Sequence, residues 1–406
     1  MRSGVLGAVI RLQGSQLSVQ ALSRLASIGL FLLARWADGE RLPLVALQGA
    51  LLAIPFALME GLVGRPISAG LLPTHWDVES WARRAAAVVI APVALIAGVS
   101  AVTALPHVTW TDRLLMMTPV LLQLPLEAMF WASARTRSTS RANLIPQLVA
   151  ISTLVCGGMF ALADMRVDIA AVPGQIGVLA WLLLRRRPLS PGKIRPGYRA
   201  SVKIGAAYFV TSTVDLSYSV ALPSVAGALA GPEAIVVLRG MELAFGPFHV
   251  MLSATTREDV VHGRETRWVN PTRLLTVGGW AVVSTIVLSS PWLRGLLSAD
   301  LRELGLAALV AFCGYKGLLM LSTWLSVRHM IWAAPRRYLV SGIGSRVIAL
   351  GGLAVSVAWV DRVPELFLQL LVCEALVVAW FSYRIAHAPV TLEPEPIPAT
   401  APVANV

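Results

Sequence analysis

Ionisable and amide side chains recur inside the apolar runs of this sequence, at spacings that place them on common helix faces. Arg24 lies roughly ten residues into the first apolar run, too deep to reach water easily along its own helix. It shares a face with Gln16, Gln20, Ser23 and Ser27, since these positions fall at helical offsets. A second stripe carries Tyr208, Thr211, Ser212, Asp215 and Tyr218, and a third carries Arg239, Glu242, His249 and Ser253. A guanidinium presents a planar, permanently charged fork that fits carboxylate or phosphate oxygens. Asp215, Glu242 or His249 would hold such a fork or take up a coupling cation, H+ or Na+. The chemistry this suits is binding an anionic head in a hydrated cavity, with Arg24, Arg239, Gln20, Gln48 and Tyr208 as the contacts. A plainer reading stands beside it. Arg239 and Glu242, three apart, neutralise each other, Arg24 and Asp215 staple two helices, and His249 packs in a core. Lys316, Arg346 and Glu374 then pair among themselves, while Glu60 and Glu127 lie near helix ends and reach the interface.

The elements that hold these groups follow from composition. Of 406 residues 56% are hydrophobic and only 14% charged, far below the roughly 25% of a soluble chain. With so little polar surface, lipid must be the solvent for most of the chain. A span needs about 20 apolar residues, and twelve runs satisfy that: 15–36, 42–63, 84–106, 112–133, 144–164, 167–185, 204–229, 233–254, 272–292, 302–326, 338–360 and 363–384. The first has no small-residue cleavage site after it and reads as a retained helix. With the N-terminus inside, twenty-three of the 34 Lys and Arg fall on cytoplasmic segments and seven outside. That asymmetry predicts both termini in the cytoplasm and a multi-pass protein of the inner membrane. The net charge of +12 therefore reads as topology signalling, and nucleic acid is not an expected partner. Cys156, Cys313 and Cys373 lie inside apolar runs without metal-ligand spacing, so no metal or cofactor is expected. No P-loop, zinc motif or nucleophile elbow occurs, and the outward loops are too short for a catalytic domain, so no enzyme is expected.

A long basic connection, 186–203, divides the helices into lobes at 1–185 and 204–386, and 387–406 is a Pro-rich tail with a disordered composition. The connection suits a linker, with a piece lying on anionic headgroups. An offset of 191 residues aligns Leu47-Gln48-Gly49 with Leu238-Arg239-Gly240, Leu25 with Leu216, and Arg24 with Asp215. Pro55-Phe56 and Pro247-Phe248 follow with one residue of slippage. The expected fold is thus an all-α integral membrane protein of about twelve helices, in two six-helix parallel repeats around a central cavity.

With this layout, SRLASIGLFLLAR in the first span and LPSVAGALAGPEAIVVLRGMELAFGP across the seventh and eighth resemble polysaccharide flippases. These are the lipid-linked oligosaccharide branch of the multidrug/oligosaccharidyl-lipid/polysaccharide exporter superfamily. The resemblance covers roughly 15–385 and is one of pattern. It implies that Arg24 and Arg239 engage the diphosphate of a polyprenyl-linked oligosaccharide, which alternating access carries across the cytoplasmic membrane. Gln48 stands where the repeat has Arg239, a departure that leaves the cavity less basic than in flippases of peptidoglycan precursors. A cation-coupled drug or metabolite antiporter of the same superfamily is the alternative, and a membrane glycosyltransferase or polymerase a more distant one. The expected partners are the anionic lipid-linked glycan, a coupling cation and the surrounding membrane lipids.

Overall fold

The structure, a computed structural model, describes residues 16–37, 39–68, 72–136, 139–185, 192–245, 271–297, 299–332 and 335–387. Twelve long helices run through it. They are α1 (Gln16–Ala37), α2 (42–68), α3 (Val78–Ala104), α4 (Trp110–Thr136), α5 (Thr139–Leu162) and α6 (Ala171–Leu184). After the linker come α7 (Ala206–Ala230), α8 (Pro232–Ala244), α9 (Pro271–Ser289), α10 (Leu306–Trp332), α11 (Pro335–Ser356) and α12 (Val363–Ala386). Each of the twelve apolar runs has its helix, with shifted ends. The third begins at Val78 rather than 84, because the Asp77 side chain caps it by accepting from the Ser80 amide at 2.9 Å. Its first turns therefore carry Arg83 and Arg84. The tenth runs on to Trp332, and the expected end of the eighth, 246–254, lies outside the described residues. Among the described residues, α2 to α5, α10 and α12, and α6 together with the turn Val167–Ile169 before it, are long and apolar enough to cross a membrane.

Most of the buried apolar side chains fall into two large clusters. One is built from α1 to α5 around Phe31, Leu58, Met59 and Trp81, with α6 joined to α4 and α5 by a smaller cluster at Val178 and Leu182. The other fills α7 to α12, where Phe312 meets the rings of Phe245 at 5.9 Å, Tyr315 at 5.8 Å and Phe367 at 4.7 Å. The seam is shared: α7 gives Leu216 and Val220 to the first core but Tyr218 and Leu222 to the second. Lipid tails are as apolar as leucine, so close approach of small residues must hold such a seam. A Cβ at Gly205, just before α7, would lie 2.5 Å from the Leu62 carbonyl oxygen of α2. One at Gly227 would lie 2.6 Å from the Ala104 oxygen of α3. Both ends of α7 are thereby held against the N-terminal helices. The turn into α8 depends on Gly231, whose φ of 83° suits glycine.

The second half of the linker is bound to protein. Ile194 pairs with Trp76 in an isolated parallel bridge, its amide donating to the His75 oxygen at 2.8 Å and its oxygen accepting from Asp77 at 2.9 Å. Lys193 donates to the Thr74 oxygen and Arg84 to that of Pro196. The Arg84 guanidinium also covers the Tyr198 ring at 5.1 Å. A short helix, Tyr198–Lys203, then docks on α3 through the fully buried Trp81, whose indole donates to the Ser201 oxygen at 2.8 Å. Of the linker's own charges, Lys193 thus satisfies a backbone carbonyl. Residues 186–191 lie outside the described part.

Candidate functional site

The site forms where α1 and α2 face α8 and α10. On α8, one helical turn sets Arg239 above Glu242, with Nη1 and Oε2 3.3 Å apart. The other carboxylate oxygen, Oε1, receives Lys316 Nζ of α10 at 3.1 Å. Glu242 thus bridges two cations, and the expected pairing of Arg239 with Glu242 alone is corrected to a triad. Lys316 is almost wholly buried, and its ammonium faces the Phe312 and Tyr315 rings at 5.4 and 5.1 Å. Aromatic faces compensate a buried ammonium in part, which lets it sit this deep. From α1, Arg24 stands within electrostatic range of both Arg239 and Glu242. Among the described side chains the cluster holds three cations around one bridging carboxylate. An excess of positive charge in an apolar surrounding is costly and needs an anion or water.

Beside it lies a small cavity of ≈ 30 Å³, lined by Ser27, Phe31, Val45, Gln48, Gly49 and Arg239 among others. Its walls come from α1 and α2 on one side and α8 on the other, so it opens at the lobe boundary. Gly49 shapes it: a Cβ there would fall 2.8 Å from Arg239 Nε and 2.9 Å from Nη2. Only a residue without a side chain lets the guanidinium lie against the α2 backbone. The two triplets aligned by the internal repeat, Leu47-Gln48-Gly49 and Leu238-Arg239-Gly240, therefore belong to helices that meet at this crossing.

Gln48 lines the cavity, yet its amide nitrogen is committed elsewhere. It donates to the Met116 oxygen at 2.9 Å and the Asp168 oxygen at 2.7 Å, tying α2 to α4 and to the turn before α6. Asp168 in turn is fully buried and receives Arg166 Nη2 at 2.6 Å, while Arg166 Nη1 pairs with Asp112. Ser27 of the α1 stripe spends its hydroxyl proton on the Ser23 oxygen at 3.0 Å. The side chains of Gln20, Tyr208 and Asp215 lie outside the described residues, as does all of His249, and so does the expected Arg24–Asp215 pairing.

Two further charged groups fall elsewhere than expected. Lys316, Arg346 and Glu374 do not form a closed set, because Lys316 turns to Glu242. Glu374 accepts from the Ser322 hydroxyl and feels Arg346 and Lys316 at longer range. Arg346 lies 6.0 Å over the Tyr218 ring. Glu127 does not reach the interface: it is buried within the first lobe, accepting from Gln123 at 2.9 Å, and Gln123 accepts from Gln175 at 3.0 Å. Proximity in sequence to a helix end did not measure depth in the lobe.

No family model matches this chain, and no curated protein matches it. Solved structures do. A lipid II flippase, MurJ in an inward closed conformation, superposes with a TM-score of 0.67 at 11% identity, covering 91% of this chain and 87% of that one. A MATE transporter of Vibrio cholerae, VcmN, gives 0.58 at 13% identity over 93% and 97% of the two chains. An inward-facing multidrug resistance MATE transporter of the MOP superfamily gives 0.57 at 15%, over 93% and 98%. At these identities the likeness is one of fold. This chain has the all-helical membrane fold that MurJ and the MATE transporters share.

Proposed function

We propose that this protein moves a polyprenyl-diphosphate-linked oligosaccharide across the cytoplasmic membrane by alternating access. The observation that carries the reading is the cluster of Arg24, Arg239 and Lys316 about Glu242, next to a cavity at the boundary of the lobes. Such a substrate has an anionic diphosphate, polar sugars and a long apolar tail. Its head needs cations with directional donors, which the guanidinium fork supplies. Its tail needs lipid access between helices. In the empty protein Glu242 engages donors that the diphosphate would take, and the larger negative charge of a diphosphate would answer the three cations better than one carboxylate does. Rocking of 1–185 against 204–386 would then expose the cluster to each side in turn. Asp215, Glu242 and His249 are the groups proposed to tune the cations or carry a coupling cation. Both termini are proposed to face the cytoplasm.

The test is reconstitution of the purified chain in liposomes carrying a labelled polyprenyl-diphosphate oligosaccharide. Protein-dependent arrival of the label at the opposite leaflet, lost on Arg239→Ala, is the expected result. Proton- or sodium-driven efflux of a cationic dye with no movement of the lipid would instead identify a drug antiporter.

A further inference from the structure

The end of α10, the start of α11 and the end of α12 meet in one corner of the C-terminal lobe, away from the triad. At its centre is Ser341, fully buried. Its hydroxyl lies 2.9 Å from His329 Nε2, accepts Arg384 Nε at 3.0 Å and donates to the Arg337 oxygen at 2.9 Å. The Trp380 indole donates to the Ser341 carbonyl oxygen at 2.9 Å, and the Arg384 guanidinium lies 5.6 Å over the Trp380 ring. With its single proton given to Arg337, Ser341 needs His329 Nε2 as a donor too. Basic groups from α10 and α12 thus converge on one hydroxyl, with the exposed Arg337 of α11 one turn from it.

No carboxylate answers them among the described residues. The sequence has no Asp or Glu in 326–347 or 375–390, nor in 271–290 of α9, the other helix packed on α10; Asp215 of α7, which packs on α11, and Glu258, Asp259 and Glu265 lie outside the described side chains. Arg384 is oriented at Nε and stacked on an indole, while its two terminal nitrogens have no protein acceptor among the described residues. Holding an arginine in this way costs rotamer freedom, which a purely topological charge, free to move in water, has no reason to lose. The depth is also defined. Trp380 and Tyr383 mark the last turns of α12, with Tyr383 4.3 Å from the His387 ring, as aromatic residues do at a membrane boundary. We propose that this corner binds the phosphate of an anionic phospholipid, with the Arg384 fork as its principal contact and Arg337 as a second charge. The ligand is an anion at headgroup depth, and a bidentate fork matches phosphate oxygens. The site is separate from the triad and does not depend on what the protein transports.

The experiment is native mass spectrometry of the full-length protein with phosphatidylglycerol or phosphatidylcholine of the same acyl chains. The parent is expected to retain the anionic lipid about tenfold better, the worth of one charge-assisted contact. Arg384→Gln should lose that preference while unfolding in phosphatidylcholine at the parental temperature. Arg384→Lys keeps the charge without the fork, and should fold and keep part of the preference. Equal retention of both lipids by the parent overturns the proposal, as does an unchanged preference in Arg384→Gln. Stabilisation by inorganic phosphate alone, equal to that by the lipid, would assign the corner to a soluble anion instead. A preference that emerges only after deletion of 391–406, which carries Glu393 and Glu395, would make the tail its occupant and also overturn it.

Discussion

Replacing Glu242 by glutamine should make the empty protein less stable and its hold on an anionic head tighter. Glu242 lies 3.3 Å from Arg239 and 3.1 Å from Lys316. At an effective dielectric constant of about 20, each contact corresponds to about 5 kcal/mol of attraction, most of which desolvation offsets. Removing the shared partner is costlier than that net balance suggests, because Arg239 then loses its carboxylate and Lys316 keeps only the longer-range charge of Glu374. Loss of one partner from a buried pair costs about 3–5 kcal/mol. Glu242 keeps 26% of its side-chain exposure, which points to the lower end, about 3 kcal/mol. Glutamine preserves the shape and one acceptor oxygen, so packing changes little. The same substitution removes the carboxylate that competes with a diphosphate for the two cations. Affinity for a short polyprenyl diphosphate such as farnesyl diphosphate should then rise about tenfold, or about 1.4 kcal/mol. Thermal unfolding and calorimetric titration of detergent-purified protein read both effects. A Glu242→Gln protein as stable as its parent, with an unaltered response to the diphosphate, would refute the triad as a balanced, displaceable charge cluster.

Gly49→Ala should push the Arg239 guanidinium off the α2 backbone, since the new methyl would stand 2.8 Å from Nε. A loss of about 1–3 kcal/mol in stability, together with weaker diphosphate binding, is expected from thermal unfolding and titration. Cysteine labelling checks topology. With Cys156, Cys313 and Cys373 removed, Glu233→Cys at the exposed α7–α8 turn should react with an impermeant thiol reagent in intact cells, and Arg195→Cys in the linker should not. The His329 imidazole is held below its ordinary range, by burial first and by the Arg384 charge second. Folding therefore favours its neutral form, and stability should fall as pH drops from about 6.5 through the lower folded value. His329→Gln should flatten that part of the pH–stability curve.

Much of this fold is legible in the sequence because a membrane leaves few options. Twelve apolar runs became twelve helices, since in lipid a spanning segment must satisfy its own backbone. Arg239 and Glu242 were legible as neighbours because three residues on a helix fix their distance. Lys316 was not: its approach to Glu242 crosses 74 positions and depends on how α8 packs on α10. Nor did a repeat position reveal what Gln48 does, because its two carbonyl partners come from α4 and the turn before α6. The depth of Glu127 was hidden for the same reason, as its surroundings are supplied by Gln123 and, through it, Gln175 of α6. The start of α3 did carry a signal, since Asp77 stands three positions before the Ser80 amide that it caps. The docking of Ile194 on Trp76 has no counterpart in local pattern, since one bridge between loop segments leaves no periodicity.

Whether Arg24 and Arg239 grip an anionic head is read most directly from glycan export by cells carrying Arg24→Ala and Arg239→Ala. The amount and thermal stability of the purified proteins must be measured beside it. Lost export from stable, inserted protein is the predicted result, with Arg24→Lys recovering only part because it lacks the planar fork. Normal export by stable Arg24→Ala and Arg239→Ala proteins would contradict a diphosphate-binding cavity, and collapse of both would make these arginines helix staples.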